Sequence, residues 1–392
     1  VGAHLVADVP VGVLLSGGVD SSLLTALAAT GAAEGLATFS IGFAERSFNE
    51  LGLARHVAER YGTEHHELVV SPQVSELLPQ IVAAFDEPFA DSSAVPTFLV
   101  SQLAADRVRV VLCGEGGDEL FGGYETYVAD QLAVRLGPVA SQLAPLLERL
   151  PSSDARVSLE YRARRFARAA ALPPLERHHG FKEIFSAGQR AQLLTGDWRD
   201  GGGDPLAPWR RRFAETEGAP LLARLQDVDL GVYLVDDLLV KTDRMSMVHS
   251  LEARVPFLDP VVAELALALP TALKVRGWSK KRLLRRAASE LVPPEILRAR
   301  KRGFSIPAAA WLRGELEPFA REVLASERMR AQGYFEPAAV TALLEEHIAR
   351  RQDHSRQLWG LISFSLWLEQ VPGSVNGAAH RGDAPVPLLG ER

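Results

Sequence analysis

The sequence predicts an α/β protein, a parallel sheet with helices on both faces, joined to a large helical part. Two observations carry that expectation. Short apolar runs alternate with helical spacings up to about residue 125, the signature of strands crossed by helices. Beyond that point the apolar spacing is helical to about residue 370. Uninterrupted apolar runs suit strands covered on both faces.

The first strand is expected over residues 9–15, followed by the turn Ser16-Gly-Gly-Val-Asp-Ser-Ser22 and a helix over 23–29. A second strand spans 37–43, and a helix over 49–61 is marked by Leu53, Val57 and Tyr61. A third strand follows at 67–70, then helices around 72–85 and 95–105, then a strand at 108–113. Later helices are expected at 238–245, 261–269, 281–291 and 362–368. The Gly-rich stretch 197–205 reads as an exposed loop, and residues from Pro372 onward as a frayed tail. Arg381-Gly-Asp383 in that tail carries no weight, and there are no internal repeats. The expected division is a nucleotide-binding core over 1–125, a helical part over 126–372 and a tail over 373–392.

Composition narrows the function. A formal charge of −6 argues against a nucleic-acid binder. No apolar run approaches the roughly 20 residues of a membrane span, and no signal peptide opens the sequence. A single cysteine among 392 residues excludes an internal disulfide and suits a reducing, cytoplasmic setting. Val1 stands where a start methionine would, so the gene product is expected to extend upstream.

Two loops carry chemistry. A strand, a Gly-rich turn and a helix start aim unpaired backbone N–H groups and the positive helix end at one point, which makes an anion site. Ser16, Ser21 and Ser22 add hydroxyls around Gly17 and Gly18, and Asp20 adds a carboxylate able to hold Mg²⁺ beside a phosphate. The spacing is not that of a Walker loop, and no lysine follows the glycines. The second loop, Gly114-Glu-Gly-Gly-Asp-Glu-Leu-Phe-Gly-Gly-Tyr124, crowds Glu115, Asp118 and Glu119 at the end of a buried strand. An acidic loop on its own is a solvated turn. Opposite a phosphate loop, Asp118 can join Asp20 around Mg²⁺, and Glu115 is the candidate for proton transfer.

The first loop resembles the pyrophosphate loop of the N-type ATP pyrophosphatases. Together with the second loop, Asp86-Glu-Pro-Phe-Ala-Asp-Ser-Ser93, Asp236-Asp-Leu-Leu-Val-Lys-Thr-Asp-Arg-Met-Ser-Met247, Ser250-Leu-Glu-Ala-Arg-Val-Pro-Phe-Leu-Asp259 and Lys301-Arg-Gly-Phe304, it resembles the synthetase domain of glutamine-hydrolysing asparagine synthetase, bacterial B type. Trp359 and Trp367 fit the family's last helix, so the resemblance covers about residues 1–370.

The resemblance implies a carbon–nitrogen ligase with ATP as co-substrate and Mg²⁺ as its metal. Aspartate's side-chain carboxylate is activated as an acyl-adenylate, and ammonia displaces AMP. Leu15, Ser40, Ile41, Cys113 and Gly114 are then expected around the adenosine, and Lys281 at the α-phosphate. Apart from the resemblance, Lys281 with Lys280, Arg282, Arg285 and Arg286 reads as a solvated helix face. Substrate aspartate is expected to meet the 86–93 and 236–244 segments, with no contact assigned.

The family's glutaminase domain, with its N-terminal cysteine, has no counterpart in these residues, so ammonia is expected from such a domain, a partner or solution. Cys113, ending a core strand, reads as a packed residue. His65 and His66 point to opposite faces of a strand and read as structural. Minor departures from the family are Val235 and Ala299-Arg300. A homodimer is a possible assembly. Rival readings are an amidotransferase or cyclase acting on another carboxylate, a tRNA thiolase (disfavoured by the lone cysteine) and a nucleotide-binding module without turnover. Glu115 favours attack by external ammonia over cyclisation.

Overall fold

The structure, a computed structural model, describes residues 1–31, 35–71, 74–147, 159–201, 203–299 and 305–371. Within these, β1 (Val11–Leu14), β2 (Ala37–Phe43), β3 (Glu64–Val70), β4 (Val110–Leu112) and β5 (Glu252–Arg254) form one sheet in the order β3-β2-β1-β4-β5. Every pairing is parallel, with Gly12 opposite Ala37 and Val111, and Val111 opposite Ala253.

Successive strand residues point to opposite faces, and each face finds its own cover. Val13, Leu15 and Leu112 pack with Leu24, Val57 and Ile296 on one side. Phe39, Ile41 and Val111 pack with Phe98, Met245 and Leu358 on the other. Helices α1 (Val19–Gly31) and α2 (Leu51–Tyr61) supply the first layer. Helices α3 (Leu78–Ala83) and α4 (Ala94–Ala105), with Ser355–Gln370, supply the second. Each fully buried side chain of this kind contributes on the order of 1.5–3 kcal/mol. The expected α/β class is present.

Strand order reverses between β1 and β4. The chain runs outward from β1 through β2 to β3, then returns to β4 on the other side of β1. Beyond the carboxyl ends at such a reversal the following loops splay apart and leave a crevice. Both loops singled out by their glycines start there.

Several expectations are corrected. β1 is shorter than 9–15, and β3 begins at Glu64 rather than 67. The helix after the first turn starts at Val19, four residues early, so Asp20 stands in its first turn, where a carboxylate suits the positive helix end. Part of the second loop is helical, over Gly117–Phe121 (α5). Strands do not stop at 125: β5 lies inside the segment 250–259 and extends the sheet beside β4. The stretch expected as a loop at 197–205 contains a helix, Gly196–Gly201, with Trp198 against Tyr334 at 4.6 Å between rings. Residues 72, 73, 202, 300–304 and the tail from Pro372, including Arg381–Asp383, lie outside the described residues.

Candidate active site

The loop after β1 is held from below and from the side. Leu15 N–H donates to Phe39 O at 2.8 Å, and the Ser40 hydroxyl donates to Leu15 O. Gly17 has φ 74°, and a Cβ there would lie 2.8 Å from Leu53 Cβ and 2.9 Å from Ala54 N. Only glycine lets the loop lie this close to α2. Ser16 N–H donates to Ser21 Oγ at 3.1 Å, and the two hydroxyls are 3.0 Å apart. The turn is thus closed onto the helix whose second residue is Asp20.

The loop after β4 brings Asp118 up on α5. Lys281 ties the two loops together: its ammonium pairs with Asp20 and, at 2.6 Å, with Asp118 Oδ1. Lys281 stands just before the helix Arg282–Ala287 with φ 50°, a left-handed conformation that costs a non-glycine residue about 1 kcal/mol or more. It stands at the N-cap position of that helix, buried and without a side-chain capping hydrogen bond, instead of on the helix's exposed face. A Cβ at Gly123 would overlap Asp118 Oδ1 and Lys281 Cε, so this residue's lack of a side chain makes room for the pair. Asp20 Oδ1 is buried with no hydrogen-bond partner.

These groups face one cavity of about 460 Å³. Leu15, Ser16, Gly17, Gly18, Asp20, Ser21, Ser40, Ile41, Cys113, Gly114, Glu115, Asp118 and Lys281 all line it. Ser22 does not. It is fully buried in α1, and its hydroxyl points into packing, because one residue step along the helix carries it about 100° away from Ser21. Glu119, read with Asp118 as part of an acidic loop, is buried and accepts a hydrogen bond from the Tyr124 hydroxyl. Burial pushes its carboxyl up to about 7 against the opposing effect of Tyr124. Cys113 is buried, its N–H donates to Arg254 O at 2.9 Å, and burial raises its thiol far above the ordinary range. A thiol so placed is a packed side chain, not a nucleophile.

His65 lies on β3 and meets Thr38 Oγ1 at 2.8 Å and Glu67 at 3.1 Å. His66 stacks on Phe39 with ring centroids 5.4 Å apart. No group of three or more His, Cys, Asp or Glu side chains placed to hold a metal occurs among the described residues.

Sequence reasoning assigned no contact to the cavity's other wall. It is built by the segment before α4 and by a continuous helix, π-wound over Asp229–Leu239 and α over Val240–Met247. Lys241, nearly fully buried, pairs with Asp91 at 3.0 Å and donates to Ser93 Oγ at 2.7 Å. Burial works against both charges, but each holds the other ionised: Asp91 lies below, and Lys241 above, its ordinary value. Thr242 Oγ1 donates to Glu115 Oε1 at 3.3 Å, anchoring the proposed base to the same helix. The spacing Asp237-Leu-Leu-Val-Lys241, one turn of helix, was the available signal.

Behind this wall Asp229 accepts from Tyr127 at 2.6 Å, approaches His178 Nε2 at 3.0 Å and pairs with Lys182. His178 also meets Asp130 at 2.6 Å, and Arg177 pairs with Asp130 at 2.8 Å. These buried charges neutralise one another and fix Tyr124 and Tyr233, whose rings flank the Lys182 ammonium at 5.1 and 4.1 Å and also line the cavity.

Two loops at a strand-order reversal share one lysine at the edge of one cavity, and comparison with known proteins identifies the family. A family model described as asparagine synthase matches residues 1–369. The chain belongs to the asparagine synthase family. It is 34% identical over 381 residues to asparagine synthetase (glutamine-hydrolysing) 1 of Bacillus subtilis, covering 94% of this chain and 57% of that protein. It is 39% identical over 377 residues to a putative asparagine synthetase (glutamine-hydrolysing) of Mycobacterium tuberculosis, covering 94% and 55%. A fungal relative, amidase chry2 of Gibberella zeae, is 25% identical over 376 residues, covering 84% and 54%. The chain thus spans about half the length of the curated relatives it matches. No helix among the described residues is long and apolar enough to cross a membrane.

Proposed function

We propose that the chain is the ATP-dependent amidating part of an asparagine synthetase. It would convert L-aspartate, ATP and ammonia to L-asparagine, AMP and pyrophosphate. The observation that carries this reading is the meeting of Asp20 and Asp118 on Lys281, from loops on either side of the strand-order reversal, at the edge of one cavity. An aspartate carboxylate oxygen attacks the α-phosphorus and the bond to pyrophosphate breaks. Ammonia then attacks the acyl carbon, loses a proton and expels AMP.

The N–H groups and hydroxyls of the loop at Ser16–Ser21 receive the departing pyrophosphate. Leu15, Ser40, Ile41, Cys113 and Gly114 form the slot for the adenosine. Lys281 exchanges its carboxylate partners for phosphate oxygens and bears the charge that builds at the α-phosphate. Glu115, steadied by Thr242, takes the proton of the attacking nitrogen.

The residues fit a divalent cation. The two carboxylates face one cavity, and the buried Asp20 Oδ1 lacks a hydrogen-bond partner. Asp20 and Asp118 would hold Mg²⁺, which when bound neutralises charge on the leaving pyrophosphate. Ammonia would come from a glutaminase domain or partner, the reaction running in the cytoplasm.

Pyrophosphate release measured with ATP, Mg²⁺ and ammonium across several carboxylates tests the reading. Release that depends on aspartate supports it. Release with ATP alone, or none with any carboxylate, refutes it. The fungal relative carries the printed name amidase, so amidation of a different carboxylate is the second reading, and the same series decides between them.

A further inference from the structure

Beside Lys281 the cavity wall carries a second group of charges with no part in the steps proposed for the reaction. Glu125 opens the helix Glu125–Gln142, Arg162 lies on the helix Leu159–Ala169, and Lys280 precedes Lys281. All three line the cavity. Glu125 holds both cations: Arg162 Nη2 reaches its two oxygens at 3.0 and 2.8 Å, and Lys280 Nζ lies 3.8 Å from Oε1. The group adjoins the paired loops. A side chain at Gly123, two residues before Glu125, would run into Asp118 and Lys281.

This arrangement leaves binding capacity for an anion unused. An arginine fork fits two anion oxygens with two N–H groups side by side. Here a single nitrogen serves both oxygens of Glu125, and Arg162 Nε is buried without a hydrogen-bond partner. Lys280 is short of counter-charge as well. Burial draws its pKa below the ordinary value; Glu125 opposes that shift, while Arg285, Lys281 and Arg162 add to it. Three other cations thus bear on Lys280, and Glu125 is the carboxylate set against them.

We infer that Arg162 and Lys280 form a second phosphate subsite, which takes the terminal phosphate of ATP and then the far end of the leaving pyrophosphate, with Glu125 as the internal anion that the phosphate displaces. A phosphate carries more charge than a carboxylate and offers an oxygen to Nε as well as to Nη2, so the exchange is favourable. Glu125 is 49% exposed and returns to water at little cost. Lys281 is assigned to the α-phosphate and the loop at Ser16–Ser21 to the pyrophosphate as a whole, so the added cations fall to the phosphate farthest from the adenosine. The inference rests on the ATP-dependent reading above and deepens it: the helical part, and not the loop alone, tells a triphosphate from a shorter tail.

The test is calorimetry on the full chain with Mg²⁺, titrating inorganic pyrophosphate and, separately, AMP. Arg162→Gln should weaken pyrophosphate binding about tenfold or more and leave AMP within about twofold. Arg162→Lys keeps the charge without the fork and should recover part of that loss. Glu125→Gln removes the internal competitor and should tighten pyrophosphate binding about threefold to tenfold, a gain that loss of a merely structural ion pair does not give.

Equal weakening of AMP and pyrophosphate in Arg162→Gln, or unchanged or weaker pyrophosphate binding in Glu125→Gln, overturns the inference. Aspartate-dependent pyrophosphate release judges the amidation reading separately. Such release by wild type, with variants that bind pyrophosphate as wild type does, overturns the subsite and keeps amidation. The expected shifts in a protein that activates no carboxylate support the subsite and remove amidation.

Discussion

Lys281 lies between two carboxylates proposed as metal ligands, and its ammonium pairs with both. Lys281→Met removes that charge and keeps most of the side-chain volume. The lysine is 5% exposed, and Asp20 and Asp118 are 17% and 13% exposed. Removing one member of a buried pair costs about 3–5 kcal/mol, and the residual access of water to the carboxylates argues for the lower end, about 3 kcal/mol. Urea unfolding without metal or nucleotide should show that loss. Mg²⁺ should then stabilise the variant by about 2.7 kcal/mol at a hundred times its dissociation constant, recovering most of the deficit. It should do little for wild type, where it must first displace the ammonium. A variant as stable as wild type in EDTA, or the same Mg²⁺ gain in both proteins, would refute the reasoning. In turnover the same substitution should lower kcat far more than ATP affinity, since the charge acts on the transition state.

Asp20→Ala should cut aspartate-dependent pyrophosphate release by about a hundredfold or more, and unchanged release would remove its role with the metal. Glu115→Gln should slow amide formation by about two to four orders of magnitude while ATP still binds; equal rates would exclude it as the base. Acid should weaken the fold through His347. It is fully buried and accepts the His354 N–H at Nδ1, 3.1 Å away. Burial and then Arg313 hold its pKa down to about 4, against Asp353. Below its ordinary value of 6.5 the unfolded chain takes up a proton that the folded one refuses, so stability falls from pH 6.5 toward 4, by at most about 3 kcal/mol. His347→Gln should flatten that slope in urea titrations at pH 5 and 7. A slope identical to wild type would exclude His347 as its source.

The strands at the centre of the sheet were legible because their apolar runs are bounded by glycines and helical spacings. The loops after β1 and β4 were legible because each sets glycines and carboxylates directly behind an apolar run. β5 was not. Its three residues, Glu252, Ala253 and Arg254, are partly exposed at a sheet edge and show no apolar run. The helix at Gly196–Gly201 was hidden by its glycines, since what positions Trp198 is Tyr334, far away in sequence. Lys281 was recognisable only through family resemblance, because its burial depends on two distant aspartates and nothing in a run of basic residues shows it. The pairing of Lys241 with Asp91 and Ser93 arises only when separate segments fold against one another, so the helical spacing of Asp237 and Lys241 hinted at a polar wall without showing its partners.

The return of the chain to lay β5 beside β4 has a consequence for how this protein can be cut or built. Without the 252–254 segment, β4 would present a bare row of amides and carbonyls to solvent, and Cys113 would lose the carbonyl of Arg254. The next residues, including Phe257, pack edge-on against Phe121 at 6.1 Å and so brace the second loop. A fragment ending near residue 125 should therefore be sticky and short-lived. The loop after β4 thus depends on chain far downstream, whereas the loop after β1 is held by its early neighbours Phe39, Ser40 and Leu53.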